Sequence, residues 1–216
     1  MKTKEAIVIS LMAGALASCH HEDVAGPTKV SSLPTGSFVT SPSGMVLVGA
    51  TVVTLTATGN DPSGSALTYT WDFGDGQSGV TGQTVTHVYG KPGTFTAVLT
   101  IRNAAGASAT ANGTVTARDL SGRWRDVDPA WEFDLTQSGS TVSGTIARAG
   151  VGIVSQIRDG AVADPRNVRF FRDSSVSPRW YLGYTGNYSG SLDNTGNRLH
   201  LTSLEDDRFS YDLTRE

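Results

Sequence analysis

The chain of 216 residues contains a single cysteine, Cys19. No disulfide can form within it, and metal sites built from several thiolates are excluded, so its stability has to come from apolar cores. Charge is sparse. There are 17 Lys and Arg against 20 Asp and Glu, and a net charge of -3 leaves no basic field for nucleic acid. The sequence has no G-x-S-x-G, no Walker glycine loop and no H-E-x-x-H. His87 and His200 are the only histidines in the parts expected to fold, they fall in different domains, and their spacing suggests no Ser-His-Asp arrangement. No catalytic residue and no cofactor are expected. A hydrolase resting on carboxylates alone is the remaining catalytic alternative.

The apolar run near the start, "IVISLMAGALA", follows Lys2 and Lys4. It has the length of a signal-peptide core and is too short for a membrane span. Leu16, Ala17 and Ser18 then precede Cys19. This segment resembles the lipobox of bacterial lipoproteins. The resemblance implies cleavage after residue 18, acylation of Cys19 (palmitate or similar chains), and attachment to a membrane on its extracytoplasmic side, the outer membrane if the source is Gram-negative. Several acyl chains together make a durable anchor where one would be marginal. His20, His21, Glu22 and Asp23 read as a hydrated tether, and residues 19–36, rich in Gly, Pro, Ser and Thr, as the lipidated Cys with a flexible linker.

What is abundant is Gly and Thr, with 18 threonines between Thr28 and Arg118. Threonine favours strands over helix interiors, which predicts an all-β protein. In "LTYTWDF", Leu67, Tyr69, Trp71 and Phe73 share one face; in "TFTAVLTIRN", Phe95, Ala97, Leu99 and Ile101 do. Such alternation marks half-buried antiparallel strands, and their number and spacing predict a β-sandwich over residues 37–118. The segments "YTWDFGDG" and "VTHVYGKPGTFTAVLTIRNAAG" resemble the PKD repeat, an immunoglobulin-like domain, over roughly residues 39–117. The resemblance implies that Trp71 is the core tryptophan of the third strand and that Tyr89 packs near the corner before "PGTF". It also implies an extracellular spacer or interaction module rather than an enzyme.

Asp72 and Asp75 in "WDFGDG" are the obvious acidic pair. Asp72 falls on the outward face of its strand, and Asp75 precedes Gly76 in a pair that favours tight turns. A turn is expected, with a weak local cation site at Asp72 and Asp75 as the alternative. Asn60 and Asp61 cannot complete a calcium shell with Asp75, because a strand of about 23 Å separates the two loops at roughly 3.3 Å per residue.

From residue 119 the composition changes to 11 arginines, no lysine and 14 acids, with more aromatics. "WEFDLTQ" alternates Trp131, Phe133 and Leu135 against polar residues, and eight or nine short strands with tight connections predict a small up-and-down β-barrel over residues 119–216. Gly122 to Trp124, followed by "FDLTQSGSTVSGT", resembles the first hairpin of lipocalin- and avidin-like barrels. That resemblance implies that Trp124 closes one barrel end, covered by Arg215. Such a barrel is either filled by its own side chains or holds one small ligand, with Trp131, Trp180 and Tyr184 as binding candidates. The function expected is a non-enzymatic, lipid-anchored envelope protein. Its sandwich would serve as spacer or interaction module and its barrel would bind a surface protein, a polysaccharide or a small ligand. The alternative is a carrier of a small apolar ligand.

Overall fold

The computed structural model describes residues 32–128, 130–175, 185–206 and 209–216. All regular structure in these residues is β. Eight strands form the N-terminal sandwich: β1 (Thr35–Ser41), β2 (Met45–Leu47), β3 (Val53–Asn60), β4 (Leu67–Asp72), β5 (Ser78–Thr81), β6 (Thr84–His87), β7 (Gly93–Asn103) and β8 (Ser108–Arg118). They pair as a three-stranded sheet, β1-β3-β6, and a five-stranded sheet, β2-β8-β7-β4-β5. The period-two alternation of the sequence is the period of burial. On β7, Ala97, Leu99 and Ile101 are buried while Thr94, Thr96 and Arg102 are exposed. These residues meet Leu55, Trp71, Phe73 and Tyr89 in one apolar core. Trp71 satisfies its indole N–H by donating to the Gly82 carbonyl at 2.8 Å, as a buried tryptophan must.

A second set of strands follows: β9 (Gly122–Asp126), β10 (Trp131–Ser138), β11 (Thr141–Arg148), β12 (Gly152–Asp164), β13 (Asn167–Asp173), β14 (Gly186–Leu192), β15 (Arg198–Ser203) and β16 (Ser210–Arg215). Each pairs antiparallel with its neighbour in sequence, and β16 returns to β9, so the sheet closes into an eight-stranded barrel. Closure leaves no open edge. β12 runs 13 residues and carries three irregularities, the last of them at Ala163 opposite the step from Val168 to Asn167. Opposite Ile146 and Ala147 its register skips Val154, and near Asp159, at φ 50°, it skips again. Each bulge inserts a residue and bends the strand, which helps a narrow sheet close on itself.

The sandwich contributes side chains to the barrel core. Leu47 of β2 and Leu120, both fully buried, cluster with Trp124, Leu135, Val142, Leu199 and Leu213 at one barrel end. Gln137 stitches the same junction. Its Nε2 donates to the Val48 and Gly139 carbonyls, each at 2.8 Å, and its Oε1 accepts from the Leu120 N–H at 2.8 Å. Gly49, at φ +65°, lies so close to Gly139 that a Cβ there would sit 2.8 Å from the Gly139 Cα. That position requires glycine on both counts, backbone conformation and space. Trp124 completes this end. It donates to the Leu120 carbonyl at 2.9 Å and lies under the Arg215 guanidinium at 4.7 Å. Arg215 in turn donates to the Asp119 carbonyl.

Asp61 ties together the sandwich loops at the far end of β4 from Asp75. Its carboxylate accepts from the Ser63 hydroxyl, the Ser65 N–H at 2.9 Å and Asn103 Nδ2 at 3.1 Å. The hydrogen bonds from Ser63 and Asn103 hold its pKa down at about 2. The folded chain therefore binds a proton at Asp61 less readily than the unfolded chain does. The stability this adds is complete above pH 4 and is lost as pH falls through 2. Asp61→Asn is expected to flatten the fall in urea midpoint between pH 4 and pH 2. An acid limb of the same steepness in both proteins would remove Asp61 as its source.

Candidate functional site

The acidic pair of "WDFGDG" comes apart in the fold. Asp72 Oδ1 accepts from the Gly74 N–H at 2.8 Å, and Asp75 Oδ1 from the Gln77 N–H at 3.1 Å. Both cap turns of the kind short polar side chains favour. Gly74, at φ +78°, passes under β7 so closely that a Cβ would meet the Thr96 carbonyl oxygen at 2.4 Å. Gly76 carries the turn on at φ +100°. Asp75 has a second partner that its place in a turn did not reveal. Its Oδ2 lies 2.7 Å from Nε2 of the buried His87. Burial pushes the Asp75 carboxyl up, but the hydrogen bonds from His87 and Gln77 outweigh it and hold the pKa below the usual value. His87 stacks on Phe73 at 4.0 Å and meets Tyr89 edge-on at 4.6 Å. Tyr89, its pKa pushed up to about 12 by burial and then by Asp75, donates to the Phe73 carbonyl at 3.3 Å. Asp75 thus acts as a strut under an aromatic stack. Among the described residues no group of three or more His, Cys, Asp or Glu side chains is placed to hold a metal ion.

A His-Asp pair does form on the barrel, where the spacing of the sequence suggested none. His200 Nδ1 lies 2.6 Å from Asp212 Oδ1, and Nε2 lies 3.2 Å from the Thr202 hydroxyl. The order acid, imidazole, hydroxyl is that of a nucleophilic triad, but the setting is not. His200 and Asp212 are more than half exposed, on the outer wall. The neighbouring backbone is spent on strand pairing of β15 with β14 and β16, which leaves no free pair of N–H groups for an oxyanion.

The barrel interior is more telling. At the end remote from Leu47, five strands converge on a polar cluster: Trp131 from β10, Ser155 from β12, Arg172 from β13, Tyr188 from β14 and Tyr211 from β16. Arg172 is only 2% exposed. It donates from Nε to the Ser155 hydroxyl at 2.9 Å and from Nη1 to the Tyr211 hydroxyl at 2.5 Å. Its guanidinium lies 5.3 Å from the Trp131 ring and 6.0 Å from the Tyr211 ring, within cation-π range. Arg148 also lies 5.3 Å from the Trp131 ring. Arg172 Nη2 and the Tyr188 hydroxyl, both buried, make no well-aligned hydrogen bond, although Tyr188 lies close enough to Arg172 and Tyr211 to interact with both. Burial pushes the Tyr188 hydroxyl up to about 12; nearby Tyr211 adds to the rise, and Arg172 opposes it. Phe133, Tyr211, Tyr188 and Phe170 continue the wall inward through ring contacts of 5.0 to 5.9 Å.

Of the sequence candidates, Trp131 belongs to this cluster and is half-buried at its rim. Trp180, Tyr184 and Cys19 lie outside the described residues. Ser155, Arg172, Tyr188 and Tyr211 were not singled out in the sequence. A signal was present for one of them. In "NVRFFRD", Val168, Phe170 and Arg172 share one face, so strict alternation puts an arginine on the apolar side.

Comparison with known proteins bears on the sandwich. Residues 44–117 match the family model of the PKD domain. A microbial collagenase of Vibrio alginolyticus is 35% identical over 75 residues, 35% of this chain but only 9% of that protein. Among solved structures, the PKD1 domain of the Vibrio cholerae metalloprotease PrtV is 29% identical, covering 39% of this chain and 96% of its own, at a TM-score of 0.33. The PKD1 domain of Vibrio anguillarum Epp is 24% identical, covering 41% and 98%, at a TM-score of 0.35. These matches span the PKD domain's share of the chain, and the chain spans less than a tenth of the collagenase.

Proposed function

We propose that this chain is a non-enzymatic, lipid-anchored protein of the cell envelope, facing away from the cytoplasm. The PKD domain is its spacer and interaction module, and the C-terminal barrel is its binding domain. The observation that carries the reading is the barrel interior. One end is filled by leucines, and the other presents buried polar groups with unused hydrogen-bonding capacity beside the half-buried Trp131. A barrel serving only as a structural block would satisfy those groups or dispense with them. This polarity favours a small ligand with a polar group over a purely apolar one, and over a protein or polysaccharide held on the outer wall. The PKD domain supports an extracytoplasmic setting, because such domains occur in secreted proteins. Cys19, as the acylated residue, supplies the anchor.

Both parts of the reading can be tested on one preparation. The native chain is expected in the membrane fraction, incorporating labelled palmitate, and Cys19→Ala in the soluble fraction without label. Native mass spectra of the membrane-extracted chain should show a small-molecule adduct that Trp131→Ala reduces. Membrane attachment unchanged in Cys19→Ala overturns the anchor. A chain that emerges bare under gentle extraction overturns the binding role.

A further inference from the structure

The polar cluster of the barrel has an imbalance that identifies what it would take. Every polar group in it can donate: the Arg172 guanidinium and the hydroxyls of Ser155, Tyr188 and Tyr211. The acceptors are those same hydroxyl oxygens. The Ser155 hydroxyl, besides accepting from Arg172, lies 3.0 Å from the Ser174 hydroxyl. Among the described residues no carboxylate forms an ion pair with Arg172. Three described acids at this end are engaged elsewhere: Asp173 with Arg158 at 3.1 Å, Glu132 with Arg125 at 2.8 Å, and Glu205 with the Asn187 N–H and side chain. A guanidinium taken out of water without a counter-charge is among the costlier things a core can contain, and such charges are ordinarily paired. Tyr211, having accepted from Arg172 Nη1, keeps its own O–H free to donate. Nη2, the Tyr188 O–H and the Tyr211 O–H therefore lie together with only one another's hydroxyl oxygens as acceptors and no anionic acceptor among them, walled by Trp131, Phe170 and Phe133.

We propose that Arg172, Tyr188 and Tyr211 form a carboxylate-recognition site inside the barrel, at the end remote from Leu47. The proposal rests on the reading of the barrel as a binding domain and names its ligand class. The carboxylate supplies the missing counter-charge and accepts from Nη2 and the two phenols in charge-assisted hydrogen bonds, roughly twice as strong as neutral ones. Arginine suits the task because its planar fork matches the two oxygens of a carboxylate. The remainder of the ligand packs against the aromatic wall, Trp131 nearest the rim. A free aliphatic acid and an acidic sugar share this chemistry.

The test titrates the full mature chain with two acids and their neutral twins: octanoate against 1-octanol, and glucuronate against glucose. Binding is read from the Arg172 Nε–H resonance and the shift in Tm. At least one acid is expected to bind about tenfold or more tighter than its twin, and which one does so separates the two sources. Arg172→Met should abolish that preference while leaving the barrel folded, with a Tm equal to or above the parent's. Arg172→Lys, which keeps the charge and loses the fork, should weaken the acid without abolishing it, and it decides the matter if the methionine variant does not fold. Equal binding of acid and twin overturns the carboxylate site while leaving the barrel a binding domain. A preference that survives in Arg172→Met puts the recognition elsewhere and overturns the proposal. Absence of binding by all four probes overturns it too, and the adduct experiment above then decides separately whether the barrel binds anything.

Discussion

Leu47→Ala is expected to destabilise the barrel, although Leu47 belongs to a strand of the PKD domain. Its side chain is fully buried in the cluster that contains Trp124, Leu135 and Leu213. Truncating a buried leucine costs about 2–5 kcal/mol, the spread depending on how far the surroundings collapse into the space left. Collapse is restricted here. The backbone on either side of the contact is tied by the three hydrogen bonds of Gln137 and by the close approach of Gly49 to Gly139. The loss should therefore lie in the upper part of the range. It should appear in hydrogen exchange of β9, β10 and β16, strands far from residue 47 in sequence. Protection lost only in β2 and β8, with the barrel amides unchanged, would mean that the two domains are stable independently of each other.

Trp124→Ala is the second large effect. The indole is fully buried, donates to the Leu120 carbonyl at 2.9 Å and carries Arg215 on its face. Removing a buried tryptophan costs about 3–5 kcal/mol, and two further groups lose a partner. The Leu120 carbonyl is left unsatisfied, and Arg215, whose Nε already lacks a hydrogen-bond partner, loses the ring beneath it. Trp124→Phe keeps the apolar bulk without the N–H. It should recover most but not all of the loss in urea-unfolding free energy. Full recovery would show that the hydrogen bond to Leu120 contributes nothing. A loss in Trp124→Ala below that of an exposed substitution would show that Trp124 does not close the barrel end.

The fold class was legible because both domains obey a single physical rule, alternation with one apolar face. "TFTAVLTIRN" and "WEFDLTQ" state their burial residue by residue. What was illegible is long-range. "MVLVGATVV" is a run of apolar residues with no mark on it to say that Val46 faces the sandwich and Leu47 the barrel. The parallel pairing of β2 with β8 joins segments some seventy residues apart, and no local pattern encodes it. The Asp75–His87 bond was hidden for the same reason: the turn explained Asp75 and packing explained His87, and neither explanation required the other. The polar cluster was half legible. Arg172 on an apolar face could be read from alternation, but its junction with Ser155 depends on register. Ser155 faces inward opposite Ile146 because the bulge at Val154 shifts the phase of β12.

The leucine-filled end gives any molecule held in the barrel a particular itinerary. With the end around Leu47, Leu120 and Trp124 filled, an occupant of the barrel could not pass through it, so it would have to load and leave away from that end. Exchange would then be limited by departure rather than by arrival, and a competitor could not push the resident out from behind. Such an arrangement is poorly suited to passing cargo across from one side to the other.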